Sequence, residues 1–162
     1  MVQYSPVVPA ALDETDRAIL GILQVEGDIS NAALARRVHL SPPATHARVR
    51  RLEEQGYIRQ YAALLDREKL GLDLLCFIQI SMQVHHLAQQ DPLREAIQEL
   101  PEVLECHHLT GEYDYLLKVV VRNRQELERL VVGRLTTMPG VARIHTSLVF
   151  TEIKATTALP LA

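Results

Sequence analysis

Between Ser30 and Gly56 the chain reads S-N-A-A-L-A-R-R-V-H-L-S-P-P-A-T-H-A-R-V-R-R-L-E-E-Q-G, and this stretch leaves few folds open. Ser30 can cap a helix whose apolar positions Ala33, Leu34 and Val38 follow the helical period. His39 and Leu40 allow only a very short turn. Ser41 caps a second helix, with Pro42 at the first helical position, where a missing N–H costs nothing. That helix buries Thr45, Val49 and Leu52 and stops at Gly56. Two short helices across a tight turn, the second bearing Arg48, Arg50 and Arg51, spell a helix-turn-helix.

Charge supports this locally. The whole chain carries −3, which argues against a generic polyanion binder. From Arg36 to Arg59, six arginines face two glutamates, so this segment is +4 and the remainder −7. On a helical wheel Pro43, Ala44, Ala47 and Arg51 point away from the apolar side, with Arg48 and Arg50 on the flanks. Small residues let a helix backbone sit deep in a major groove, and arginines pair with phosphates or guanine edges. Ser41, Pro43, Ala44, His46, Ala47, Arg48, Arg50 and Arg51 are therefore the candidate DNA-binding residues of this helix. The competing interpretation is a solvated arginine face on an ordinary surface helix.

Three stretches resemble the DNA-binding module of the Lrp/AsnC (leucine-responsive/asparagine-regulator) family of prokaryotic transcription regulators. They are L-D-E-T-D-R-A-I-L from Leu12 to Leu20, I-S-N-A-A-L-A-R-R-V from Ile29 to Val38, and Ser41-Pro42 followed by R-V-R-R-L-E-E-Q-G-Y-I from Arg48 to Ile58. The family usually has glycine where this chain has His39, so the turn is expected to hold a histidine at positive φ under some strain.

A length of 162 residues suits one domain or two small ones. Hydrophobic residues make up 48% and aromatics only 4%, with no tryptophan, so the cores should be aliphatic. The first eleven residues, with two prolines and no basic start, read as a flexible arm rather than a signal peptide. No apolar run is long enough to span a membrane. Cys76 and Cys106 do not make a secreted disulfide framework and read as buried thiols, so a cytoplasmic protein is expected.

In order, Asp13 opens a first helix with Ile19, Leu20 and Leu23 inward, ended by Gly27-Asp28. Tyr57 to Leu65 reads as an extended wing, with Arg59 a further DNA-binding candidate near the phosphate backbone. The expected division is an arm (1–11), a winged helix-turn-helix domain (12–61), a linker (62–72), a second domain (73–154) and a tail (155–162). The second domain alternates: a strand from Leu74 to Val84; a helix capped by Asp91 with Pro92 first and Leu93, Ile97 and Leu100 inward; strands Val103–Leu109 and Tyr113–Val121. A helix capped by Asn123 with Glu126 follows, then a strand from Val141 to Ile153. The order βαββαβ is ferredoxin-like, and the fold class is α+β. Pro101, Val103 and His107 echo Pro139, Val141 and His145, as two duplicated halves would. Both helices on one side would leave the other sheet face bare, and the apolar content of Tyr115–Val121 on both faces points to a homodimer through the sheets. Such a dimer would set two helix-turn-helix units about 34 Å apart.

The resemblance continues to the chain's end, through H-L-T-G-E-Y-D-Y-L-L-K (His108–Lys118) and T-E-I-K-A-T-T-A-L-P-L (Thr151–Leu161). It implies a domain that binds a small effector, mostly amino acids, at contacts between dimers, and dimers assembled into octamers. Carried over by position, Gly111, Glu112, Tyr113 and Asp114 would line the pocket, with Thr146 and Ser147 across from them. Backbone N–H groups there suit a carboxylate, and Asp114 an α-ammonium; alternatively the loop is a plain strand connection whose Asp114 satisfies backbone donors. His85, His86, His107, His108 and His145 lack metal-ligand spacing, and neighbours on a strand face opposite ways, so no metal site is expected. No catalytic motif is present, and neither a catalytic residue nor a cofactor is expected beyond the effector. The implied function is a sequence-specific DNA-binding regulator tuned by a small effector. Two alternatives share the fold plan: a nucleoid-organising protein and a sirohaem-decarboxylase-type enzyme.

Overall fold

The computed structural model describes residues 12–83 and 87–161, with backbone only at 87–91. The expected arm (1–11), His85, His86 and the Asp91 cap side chain lie outside the described residues. Among the described residues two compact units form: 12–64 together with 154–161, and 65–153.

The first unit holds α1 (Glu14–Leu23), α2 (Asn31–Arg37) and α3 (Pro42–Glu54). Each start carries the cap its sequence announces. Asp13 accepts from the Asp16 amide at 2.7 Å, Ser30 from Ala33 at 3.2 Å and Ser41 from Ala44 at 3.4 Å. Each helix contributes one fully buried aliphatic side chain to a shared core, Ile19, Leu34 and Leu52, and Tyr57 and Ile58 pack against it. The Asn31 amide donates to the Pro42 carbonyl at 2.9 Å, pinning the start of α2 to the start of α3. The first helix ends four residues before Gly27. Val25 and Glu26 both donate to the Ile22 carbonyl, so the chain tightens into a turn there.

His39 has φ 55°, and the Leu40 amide donates to the Ala35 carbonyl at 3.0 Å. This is the left-handed position of a helix C-cap, which glycine fills without cost. His39→Gly is accordingly expected to stabilise the unit by about 1 kcal/mol. The check is a higher urea midpoint with an unchanged m-value; a lower midpoint would show that the imidazole makes a contact worth more than the strain.

Residues 57–65, read as an extended wing from the sequence, form no strand, and the Tyr61 hydroxyl instead donates to Glu53 at 3.1 Å. Leu64 and Leu65 are exposed. The last residues return to the first unit. The Gln24 side-chain amide donates to the Leu159 carbonyl at 3.0 Å and accepts from the Leu159 amide at 2.8 Å, so the tail is part of this unit.

The second unit contains β1 (Leu74–Met82), α4 (Leu87–Gln98), β2 (Val103–His108), β3 (Tyr115–Val121), α5 (Arg124–Leu130) and β4 (Val141–Leu148). The antiparallel sheet has the order β2-β3-β1-β4, the ferredoxin-like arrangement. Ile78, Ile80, Leu117 and Val119 bury one sheet face against Leu93 and Ile97 of α4, Leu100 just beyond it, and Leu130 of α5. Helix α4 starts at Leu87 rather than at Pro92, which lies inside it. Asn123 accepts from the Glu126 amide at 3.0 Å, and Glu126 accepts from the Arg122 amide at 2.9 Å, the reciprocal cap that the sequence suggests. A π turn, Val131–Leu135, extends α5 and turns Leu135 into the core.

Three further expectations fail in this unit. Strand β4 stops at Leu148, not Ile153, because its partner β1 begins at Leu74; the Val149 amide makes the last bond, to the Leu75 carbonyl. Cys76 is buried, but Cys106 is exposed on the edge strand β2. The bare sheet face is also less apolar than β3 alone suggests. Register places Phe77, Gln79, Leu116, Lys118, His107, Arg143, His145 and Ser147 on it, so the flanking strands make it mixed.

Candidate nucleic-acid interface and effector loop

Thr45, Val49 and Leu52 turn α3 inward, with Thr45 and Leu52 buried and the Thr45 hydroxyl donating to the Ser41 carbonyl at 3.1 Å. The 100° step then leaves Pro43, Ala44, His46, Ala47 and Arg50 exposed. Pro43, Ala47 and Arg50 lie opposite the buried stripe, so the outermost surface is short side chains beside a guanidinium. Arg50 pairs with Glu54 one turn on, at 2.9 Å and largely in solvent, an arrangement worth only a few tenths of a kcal/mol. Arg36 and Arg59 are exposed as well, and neither has a carboxylate partner among the described residues.

Arg48 and Arg51 are placed differently from Arg50. Arg48 Nη1 donates to Asp13 Oδ2 at 2.6 Å and to Asp16 Oδ1 at 2.8 Å. Arg51 Nη2 donates to Asp16 Oδ2 at 2.5 Å. Both arginines thus lean back to the start of α1 rather than standing clear of α3. The Arg48 guanidinium, followed by the Asp16 amide, holds the Asp13 carboxyl below its usual range, and the Arg48 proton is correspondingly harder to remove. Asp13 and Asp16 were not among the sequence candidates. The signal was present: Asp16, Ile19, Leu20 and Leu23 fall at i, i+3, i+4 and i+7, so Asp16 occupies the apolar register. A carboxylate buried there demands a cation.

In the second unit, Gly111–Asp114 form the β2–β3 turn, with Gly111 at φ 122°. This turn sits at the Ile80–Met82 end of β1. The Asp114 amide donates to the Ile80 carbonyl at 2.9 Å, Asp114 Oδ2 accepts from the Met82 amide at 2.7 Å, and the Ser81 hydroxyl donates to the Glu112 carbonyl. Asp114 thereby satisfies a backbone donor, the plainer of its two sequence-based roles. Thr146 and Ser147 are not across from the loop. They pair with Ile78 and Phe77, so they face opposite sides of the sheet, and Ser147 lies about 13 Å along the strand from the residue opposite Ser81. Arg143, opposite Ser81, and His145 stand there instead. Arg143 Nη2 reaches Glu112 Oε1 at 2.6 Å, its guanidinium carbon lies 5.1 Å from the Tyr113 ring centre, and His145 stacks obliquely on Tyr113 at 6.3 Å. Period-two spacing around Ile144 was the available signal for both. Among the described residues no group of three or more His, Cys, Asp or Glu side chains is arranged to hold a metal ion, and no helix is long and apolar enough to cross a membrane.

A helix-turn-helix unit with an exposed reading helix, followed by a four-stranded α+β domain, defines the class of two-domain DNA-binding regulators. Residues 12–59 match the winged helix-turn-helix DNA-binding family, and residues 75–159 match the Lrp/AsnC ligand binding domain. The chain is 40% identical over 148 residues to the leucine-responsive regulatory protein of Escherichia coli, covering 91% of this chain and 90% of that one. It is 34% identical over 150 residues to the transcriptional regulator AzlB of Bacillus subtilis, covering 93% and 96%. A transcriptional regulator of Neisseria meningitidis, solved as a complex with L-Met, superposes with a TM-score of 0.89 at 39% identity, over 93% of this chain and 97% of that one. The chain belongs to the Lrp/AsnC family of transcriptional regulators.

Proposed function

We propose that this regulator reads specific double-stranded DNA through α3 and that an amino acid, bound by its second unit, tunes that reading. The observation that carries the first half is the exposed face of Pro43, Ala44, Ala47 and Arg50, short enough to let the helix approach base edges with one arginine to read guanine. Ser41 and His46 flank this face, and Arg36 and Arg59 supply phosphate contacts that set its register. For the second half, the Neisseria relative's L-Met complex supports a zwitterionic effector. The loop offers matching chemistry. Arg143 suits the carboxylate, Glu112 the ammonium, and Tyr113 and His145 provide a flat wall for the side chain. Gly111 keeps the backbone N–H groups of the turn accessible. No other cofactor enters this reading.

The working form in this proposal is a homodimer through the mixed sheet face, assembled further into an octamer. The effector binds one arrangement of dimers better than another and so changes the spacing of the reading heads. An apolar ligand with equal affinity for both arrangements would shift nothing.

The test is fluorescence anisotropy on the DNA upstream of its own gene against a random duplex, across a salt series and with an amino-acid panel that includes L-methionine. The proposal expects tighter binding to the upstream DNA and a shift caused by one or a few amino acids. Equal affinity for both duplexes would replace specific regulation with DNA packaging, and indifference to every amino acid would remove the effector.

A further inference from the structure

The reading helix has three arginines, and in this structure each one is matched by a carboxylate. The matches are unequal. Glu54 meets Arg50 in open solvent, where salt screens the pair and either partner exchanges freely. Asp16 is another matter: its side chain is 4% exposed, and its two oxygens are each taken by a different arginine of α3. Asp13 adds a second acceptor to Arg48.

We propose that Asp13 and Asp16 are specificity-determining residues, internal surrogates for DNA phosphate that withhold Arg48 and Arg51 from the backbone any sequence presents. The inference rests on the reading that α3 binds DNA. The chemistry is direct. A carboxylate and a phosphodiester each offer two anionic oxygens to a guanidinium, and the buried carboxylate offers them without competition from water. Non-specific affinity grows with every arginine that neutralises a phosphate, and it grows equally on all sequences. Holding two of three helix arginines on α1 lowers that common term while leaving the base-facing surface of Pro43, Ala47 and Arg50 untouched. Arg51 is the more easily released of the two, since its side chain is 47% exposed and meets one acceptor, against 29% and two acceptors for Arg48.

The experiment uses the full chain and measures affinity against salt on the upstream and random duplexes for wild type, Asp16→Asn, Asp13→Asn and Asp16→Asn combined with Arg51→Ala. Asparagine keeps the shape and one acceptor at position 16. Asp13→Asn changes a half-exposed carboxylate, so one variant remains folded if the buried position proves intolerant. The expected result is tighter binding of Asp16→Asn to the random duplex and a log–log salt slope steeper by about 0.9 for each arginine released. The ratio of specific to non-specific affinity then falls, and Arg51→Ala in the same chain cancels the steepening. A brace that merely shapes the domain would weaken both duplexes with no change in slope, and that outcome overturns the inference. An unchanged slope in folded Asp16→Asn and Asp13→Asn overturns it too. Wild-type protein that binds neither duplex would instead overturn the DNA reading beneath it.

Discussion

Ala47→Glu is expected to lower affinity for the regulator's own upstream DNA by at least about 100-fold at physiological salt. Ala47 lies on the outermost line of α3, between Pro43 and Arg50, and in the proposed binding mode its methyl group sets how closely that helix approaches a groove. Glutamate there adds four heavy atoms and a negative charge facing a polyanion. The loss combines repulsion with withdrawal of the neighbouring base contacts, each good one worth about 1–3 kcal/mol. Stability should barely move, because the site is exposed and glutamate is nearly as good a helix former as alanine. Anisotropy beside thermal unfolding separates the two effects. Binding within threefold of wild type would remove this face of α3 from the interface.

Leu52→Ala is expected to destabilise the first unit by about 3 kcal/mol and leave the sheet unit's own transition in place. Leu52 is fully buried, and among the described residues the core it joins has two other fully enclosed aliphatic side chains, Ile19 and Leu34. Its carbonyl also accepts the Tyr57 amide at 2.9 Å in the turn that closes α3. A unit of this size has little stability to spare, so the loss removes a large part of it. Hydrogen exchange resolved by residue should show α1–α3 opening early while β1 and β3 keep their protection. Equal loss of protection in both units would mean that they unfold as one.

The elements themselves were legible in the residues. Ser30, Ser41 and Asn123 each cap the helix that follows, and His39 takes the left-handed conformation that the missing glycine requires. The four-strand order followed from βαββαβ, while the apolar residues on both faces of β3 left the choice of core face to the packing of the helices. Strand and helix ends were less legible, because they depend on a neighbour. β4 ends where β1 supplies no further partner, and residues 57–65 join no strand among the described residues.

The candidate sites divide in the same way. By local periodicity alone, the sequence determined that α3 turns Thr45 and Leu52 inward and leaves Pro43, Ala44 and Ala47 outside; the wheel placed Arg51 with them and Arg50 on a flank, whereas Arg51 turns back to Asp16 and Arg50 stands clear. It also determined that a glycine-bearing turn joins β2 to β3. Only the tertiary structure decided what each charged side chain meets. Arg48 and Arg51 stand 32 and 35 residues from Asp16 along the chain, and no local rule brings those charges together. Within one chain Arg143 and His145, rather than Thr146 and Ser147, stand beside the loop, because register, set by pairing between β1 and β4, chooses which residues of a strand do so. Periodicity is a property of the backbone and can be read from the chain. Partnership between charges depends on which elements pack together, and that is fixed only when the cores close.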